Sequence, residues 1–125
     1  MSRPDDPADG FLPLRPVEFQ ILLSLSSRPL HGYAIIRDAQ QRGEGPAVPG
    51  LATLYRALRR LKKSALIEEA GDADAGLNDA GVDGSRRRVF CLTETGRAVA
   101  RAEAQRLDKL LRAARHSRLL EDRRS

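Results

Sequence analysis

Length, composition and charge limit the classes of protein to which this chain of 125 residues can belong. Hydrophobic residues make up 41% of it and aromatic residues only 4%, which predicts one domain with a modest core of aliphatic side chains. The net charge of +5 suits an acidic partner such as nucleic acid, and the single cysteine excludes a disulfide within the chain and argues against a zinc cluster.

Neither an export signal nor a membrane span is evident along the chain. The sequence begins Met-Ser-Arg-Pro-Asp-Asp, without the basic and then apolar run of a secretory signal. No stretch approaches the roughly 20 apolar residues that cross a bilayer. The expectation is therefore a soluble protein in the reducing environment of the cytoplasm.

The first third of the chain predicts a disordered tail and two short helices. Residues 1–13 contain three prolines and three aspartates with little apolar content. One helix is predicted to begin near Pro16, because proline suits a first helical turn, and another to run from Gly32 to Arg42. The expected buried positions are Val17, Ile21, Leu22 and Leu25 in the first helix and Tyr33, Ile35, Ile36 and Ala39 in the second.

A third predicted helix, from Leu51 to Lys63 with Gly50 as its N-cap, has one apolar side and one basic side. The apolar stripe consists of Leu51, Leu54, Tyr55, Leu58 and Leu61. The basic residues, with no acid among them, are Arg56, Arg59, Arg60, Lys62 and Lys63. Such a helix can pack one side on a core and present the other to a polyanion, although a merely solvated basic face is the alternative.

Two strands separated by a long acidic loop are predicted next. Residues 65–70 form the first strand and residues 88–92 the second. Residues 71–85 hold four aspartates and no basic residue, which predicts a solvated loop. The spacing of these aspartates lacks the glycine and the closing glutamate of a calcium loop, so no metal site is predicted.

The last helix is predicted to run from Glu94 to Leu120, with Thr93 as its N-cap and residues 121–125 as a tail. A helix of about 25 residues is about 37 Å long, which is longer than the small domain before it can cover. The row of apolar residues along this helix, which we call its seam, therefore predicts a homodimer. The alternative is a solvated helix that frays. The predicted dimer residues are Ala100, Ala104, Leu107, Leu110, Leu111 and Ala114.

Four segments of the chain resemble the PadR family of winged helix-turn-helix transcriptional regulators. Leu30-His31-Gly32-Tyr33-Ala34-Ile35-Ile36 is similar to the family's second helix, and residues 52–61 are similar to its recognition helix. Leu66-Ile67-Glu68-Glu69 and residues 86–97 resemble the wing strands and the entry to the last helix. The resemblance implies a mainly α fold with a small β-hairpin: a winged helix-turn-helix over 14–92, with 71–85 as the wing loop, and a dimerisation helix over 93–120.

The resemblance also implies a homodimeric repressor that binds double-stranded DNA at a palindromic operator and allows for relief by a small-molecule inducer. From the residues themselves, Thr53 and Arg56 suit base contacts, whereas Arg59, Arg60 and Lys63 suit phosphate. Packing is the alternative for both tyrosines, and neutralising the acidic loop is the alternative for the arginine triplet. The predicted DNA-binding residues are Tyr33, Ala52, Thr53, Tyr55, Arg56, Arg59, Arg60, Lys63, Arg86, Arg87 and Arg88.

One departure from the family pattern concerns the end of the third helix. The family usually has a glycine where this chain has Ala65. If that position takes a positive φ, alanine costs about 1 kcal/mol relative to glycine.

Other functions have less support in the sequence. No Ser–His–acid motif, phosphate-binding glycine loop or metal-ligand spacing occurs, so neither an enzyme nor a cofactor is predicted. His31 is expected to be a satisfied turn histidine rather than a ligand, and Cys91 a small packed side chain rather than a redox sensor. The remaining alternative is a protein-interaction module that keeps the winged-helix body without specific DNA binding.

Overall fold

Four helices surround a small antiparallel sheet in the computed structural model, which describes residues 10–42, 49–69 and 88–121. The elements in chain order are α1 (Pro16–Ser24), β1 (Leu30–His31), α2 (Gly32–Arg42), α3 (Leu51–Lys63), β2 (Ile67–Glu69), β3 (Val89–Leu92) and α4 (Glu94–His116). The fold class predicted from the sequence, mainly α with a small hairpin and a long last helix, is confirmed. The acidic loop of 71–85 lies outside the described residues.

The sheet has one strand more than the sequence analysis predicts. Its order is β1-β3-β2, and both pairings are antiparallel. In β1, Leu30 lies opposite Phe90 and His31 lies opposite Val89. A strand of two residues next to a proline is too short to show an alternating pattern, so nothing in the sequence marks it. Its pairing joins the α1–α2 connection to the wing.

The four helices and the sheet share one apolar core. Ile21, Ile35, Leu54, Ala39 and Val99 are completely buried in it. Two predicted core residues are instead on the surface: Tyr33 is 50% exposed and Leu51 is 43% exposed. Both lie in the first turn of their helix. The guanidinium of Arg37 lies over the Tyr33 ring, 5.8 Å from its centroid.

The N-terminal segment is packed from Phe11 onward, which differs from the predicted tail of residues 1–13. Phe11 and Leu12 pack against the core, and Leu14 is buried in it. The Leu14 amide donates a hydrogen bond to Glu103 on α4, with 3.1 Å between N and Oε2. Residues 1–9 of the predicted tail lie outside the described part of the chain.

Helix α3 ends in a Schellman motif centred on Ala65. The Ala65 amide donates to the Lys62 carbonyl at 3.0 Å, and the Leu66 amide donates to the Leu61 carbonyl at 3.0 Å. Ala65 has φ 62°, so the left-handed conformation that favours glycine is required here. The expectation from the sequence is confirmed, and the chain carries the alanine penalty at this turn.

Replacing Ala65 by glycine is therefore expected to raise the free energy of unfolding by about 1 kcal/mol, because glycine adopts this φ without strain. The measurement is chemical denaturation of the two proteins under one buffer. Ala98→Gly, at an exposed position inside α4, is the matched control and should lower the same quantity by about 1 kcal/mol. If Ala65→Gly also lowered the free energy of unfolding, Ala65 would not be strained.

Thr93 joins the end of α3 to the beginning of α4. Its hydroxyl accepts a hydrogen bond from the Gly96 amide at 2.9 Å, as expected of an N-cap, and donates to the Ala65 carbonyl at 2.6 Å. Its amide donates to the Leu66 carbonyl at 3.1 Å. Gly96 packs on that same carbonyl so closely that a Cβ would lie 1.8 Å from the oxygen. We call this arrangement of Ala65, Leu66, Thr93 and Gly96 the α3–α4 joint.

Helix α4 ends at His116, four residues before the predicted end at Leu120. Arg118 takes φ 66°, and the Leu119 amide donates to the Ala114 carbonyl at 2.8 Å. The helix is thus closed by a left-handed residue that the sequence does not mark with glycine. In the described part of the chain, no helix is long and apolar enough to cross a membrane.

Candidate nucleic-acid interface

Helix α3 presents one buried face and one exposed basic face. Leu54, Ala57, Leu58 and Leu61 are buried on its inner side. At 100° per residue, the outer residues span about 120° of the helix circumference. The residues on this outer face, all exposed, are Ala52, Thr53, Arg56, Arg59 and Lys63. We call them the basic face of α3.

The two ends of α3 differ in the charge of their side chains. Gly50 is the N-cap in an extended conformation, as predicted, and no acidic residue lies in the first turn. The last turn contains Arg60, Lys62 and Lys63, where positive charge is stabilised by the partial negative charge of the helix C-terminus. The first turn therefore has no acid to neutralise the partial positive charge of the helix N-terminus, and a helix N-terminus of this kind can bind an anion.

Two of the residues predicted to bind DNA make contacts within the fold. Tyr55 is buried, so the structure favours the packing alternative for its ring. The Arg60 Nε donates a hydrogen bond to the Glu18 Oε2 at 3.0 Å, which turns its guanidinium toward α1. Tyr33 is exposed on α2, and it remains a predicted DNA contact.

The base of the wing carries a cluster of opposite charges. The Arg88 Nη1 donates to the Glu69 Oε2 at 3.0 Å, and the Lys62 Nζ donates to the same oxygen. These partners, Lys62 first, lower the pKa of the Glu69 carboxyl below its usual value. Arg88 is therefore partly neutralised within the wing. Arg86 and Arg87, which were predicted beside it, lie outside the described residues.

Comparisons with known proteins agree with this geometry. The family model described as "Transcriptional regulator PadR-like family" matches residues 21–102, about two thirds of the chain and all of α2, α3 and the wing strands. The chain belongs to the PadR-like family. The matched span contains the whole basic face of α3.

Two solved structures share the PadR-like fold at low sequence identity. A PadR family transcription regulator from Clostridium difficile has a TM-score of 0.61 at 21% identity, covering 80% of this chain and 95% of its own. A transcriptional regulator from Clostridium thermocellum has a TM-score of 0.60 at 19% identity, covering 92% of this chain and 97% of its own. These likenesses show the fold.

A relative by sequence is an uncharacterized 37.1 kDa protein in transposon TN4556 of Streptomyces fradiae. It is 36% identical over 90 residues, which is 72% of this PadR-like chain. The match covers 22% of that protein, so the chain spans about a fifth of its relative's length.

The predicted dimer seam of the PadR-like chain lies along the outer part of α4. Leu110 and Leu111 are 55% and 44% exposed, and Ala104 is also exposed. Ala100, Leu107 and Ala114 are half-buried. Exposed leucines on a helix that extends past its own core form an apolar strip without cover in the described protomer, which is compatible with a partner copy. The seam itself stays a prediction.

His31 and Cys91 both lie in the small sheet. His31 lies half-buried in β1, within the sheet. Burial, with a smaller effect of Glu68, raises the pKa of the Cys91 thiol, which disfavours the thiolate. Within residues 10–42, 49–69 and 88–121, no three His, Cys, Asp or Glu side chains are grouped to hold a metal ion.

Sequence reasoning missed two side-chain contacts of the predicted DNA-binding residues. The Arg37 guanidinium lies over the exposed Tyr33 ring on α2. Glu18 forms an ion pair with Arg60 of α3. Helical spacing from Tyr33 to Arg37, four residues apart, could have indicated the first pair. The second pair joins residues 42 apart in the chain, and no local pattern could have found it.

Proposed function

We propose that this PadR-like chain, a DNA-binding transcriptional regulator by family, acts as a sequence-specific homodimeric repressor on a palindromic operator in the cytoplasm. The observation that carries the proposal is the basic face of α3, which stands opposite a fully buried apolar face. A helix of this kind can enter the major groove while its inner side remains anchored in the core.

Within this proposal the residues of the basic face have different roles. Thr53 and Arg56 lie toward the beginning of α3, where side chains of a helix-turn-helix reach base edges most easily. Arginine can donate two hydrogen bonds to guanine O6 and N7. Arg59 and Lys63 lie further along, and their charges suit phosphate, which fixes the position of the protein without specifying sequence.

Homodimerisation supplies the symmetry that the operator requires. The exposed leucines of α4 support a second copy of the chain as the partner. Two protomers would present two α3 helices to half-sites about one helical turn apart, roughly 34 Å. Repression follows when such a dimer occupies a site that overlaps a promoter.

A small-molecule inducer remains a proposal from the family resemblance. Among the described residues, a groove between α1, β3 and α4 encloses about 230 Å³ and is lined in part by Phe19, Leu23 and Leu92. Sites for drug-sized ligands usually enclose about 300–1,000 Å³. One protomer alone therefore offers room only for a smaller molecule at this place.

The test of the function is a binding selection from genomic fragments with the purified protein, titrated in salt and combined with a sizing measurement. An inverted repeat that is bound by a dimer, with affinity falling steeply as salt rises, is the expected result. Weak and uniform binding that disappears at physiological salt would instead favour the protein-interaction module.

Arg56→Ala is expected to weaken binding to the selected operator by about 1–3 kcal/mol and to relax one base position. The reason is the loss of a guanidinium that lies on the exposed basic face near the beginning of α3. Lys109→Ala, which removes an equal charge from an exposed position on α4, is the matched control. Electrophoretic mobility shifts with the operator and its single-base variants measure both effects, and normal binding by Arg56→Ala would show that α3 is placed wrongly on DNA.

A further inference from the structure

Arg60 differs from the other arginines of α3 in where its side chain is held. It lies one turn after Arg56 and about 40° round the helix from it, which places it between Arg56 and Thr53 in projection. Its Nε donates to the Glu18 Oε2 at 3.0 Å. The Glu18 side chain is 13% exposed and the Arg60 side chain is 36% exposed, so the carboxylate is sheltered while the guanidinium is partly open to solvent.

Glu18 is itself fixed in place by α1. Its other carboxylate oxygen accepts a hydrogen bond from the Arg15 amide at 3.2 Å. This is the first turn of α1, where the helix dipole stabilises a negative charge. Helix α1 is in turn anchored by Ile21 and Leu22, which are completely buried. Arg60 is therefore bonded to a rigid point of the core and is not available as a loose surface charge.

Both packing and polar contacts restrain the rotation of α3 about its own axis. At its C-terminal end the α3–α4 joint fixes the turn after Ser64. Along its length the buried residues Leu54, Tyr55, Ala57, Leu58 and Leu61 pack on the core. The Glu18–Arg60 ion pair adds a directional contact between side chains of α1 and α3.

We propose that Arg60 is a positioning residue for sequence recognition and not a phosphate contact: its ion pair with Glu18 helps to fix the rotation of α3 and thereby the reach of Arg56. The proposal rests on the proposed function. A rotation of about 10° moves a side chain lying about 6 Å from the helix axis by about 1 Å. Since hydrogen bonds tolerate about 0.5 Å, base contacts should suffer, whereas phosphate contacts by flexible side chains should adapt.

The experiment compares Glu18→Gln, Arg60→Gln and the double variant with the native protein. Each is titrated with the selected operator duplex and with a scrambled duplex of equal length and composition, over a series of salt concentrations. Circular dichroism first establishes a temperature at which every variant is folded. Arg59→Gln is the matched control, because it removes the same charge one residue away and should reduce the salt slope by about 0.9.

The expected result is that both single variants lower the ratio of operator affinity to scrambled-duplex affinity by about threefold to thirtyfold. The double variant should match the single variants, and Arg60→Gln should leave the salt slope unchanged. A purely structural role of the ion pair would leave this ratio of affinities unchanged.

Opposite effects of the two single variants, with Glu18→Gln improving operator binding and Arg60→Gln reducing the salt slope, would show a direct phosphate contact and overturn the proposal. An unchanged affinity ratio in both would also overturn it. If the native protein selects no sequence, the repressor function fails together with the proposal. If the native protein selects a sequence and the variants keep its ratio of operator affinity to scrambled-duplex affinity, only the positioning role is refuted.

Discussion

Gly96→Ala is expected to lower the free energy of unfolding by about 3 kcal/mol or more, a large part of the 5–15 kcal/mol that holds a typical domain together. A Cβ at this position would lie 1.8 Å from the Leu66 carbonyl oxygen and 2.8 Å from its carbon. Both are backbone atoms, so no side-chain rotation relieves the overlap. The α3–α4 joint must open, and the hydrogen bonds that Thr93 makes to Ala65 and Leu66 are then weakened.

Thermal unfolding followed by circular dichroism measures this effect, and a fall in Tm of about 15 °C or more is expected. Gly10→Ala is the matched control, because a Cβ there meets no atom within 4 Å. Its Tm should stay close to that of the native protein. A Gly96→Ala protein as stable as the control would mean that α4 can shift away from Leu66 at little cost.

Glu103→Ala is expected to lower the free energy of unfolding by about 2–4 kcal/mol. The carboxylate accepts the Leu14 amide at 3.1 Å and two bonds from Arg106, at 2.5 and 2.9 Å. Its removal leaves a buried amide without an acceptor and releases the N-terminal segment from α4. Gln105→Ala, at an exposed position two residues along the helix, is the control and should change stability by less than about 0.5 kcal/mol.

The stabilising effect of Glu103 should also depend on pH. The Arg106 guanidinium, assisted by the Leu14 amide, lowers the pKa of the Glu103 carboxyl below its usual 4.5. A depressed folded pKa means that the contribution is fully present above the unfolded pKa and is lost as pH falls through the folded one. The stability difference between native protein and Glu103→Gln should therefore be constant at neutral pH and shrink below about pH 4.5. Denaturation over pH 3–7 measures it, and a difference that does not vary would contradict the assignment.

Local signals in the sequence predicted most of the fold. Proline at the beginning of α1 fixes φ, and threonine before α4 caps it with a side-chain hydroxyl, and the structure places both as expected. Helical spacing predicted most buried positions of α1 and the buried residues Leu54, Tyr55, Leu58 and Leu61 of α3, although it wrongly included Leu51. These features depend on residues within about four positions of one another, which is the range that a sequence pattern can report.

Contacts between distant residues were beyond such patterns. Glu103 lies beside the predicted seam and looks like a surface residue of an amphipathic helix. It is nevertheless buried, and it accepts a hydrogen bond from the amide of Leu14, 89 residues earlier. Arg60 looks like one more basic residue of α3 until Glu18 is placed next to it. The positive φ of Arg118 has no marker either, since left-handed turns are usually signalled by glycine.

The α3–α4 joint links α3 directly to the beginning of the long last helix. The predicted seam is centred near Leu107, about 20 Å along α4 from the joint. If two copies cross there, a turn of one protomer by about 10° relative to its partner displaces its joint, and α3 with it, by about 3.5 Å, close to the 3.4 Å rise of one base pair. Conservative substitutions among seam residues far from DNA would then alter the preferred distance between half-sites. The spacing of an operator would be encoded in the packing of leucine and alanine rather than in any residue that touches it.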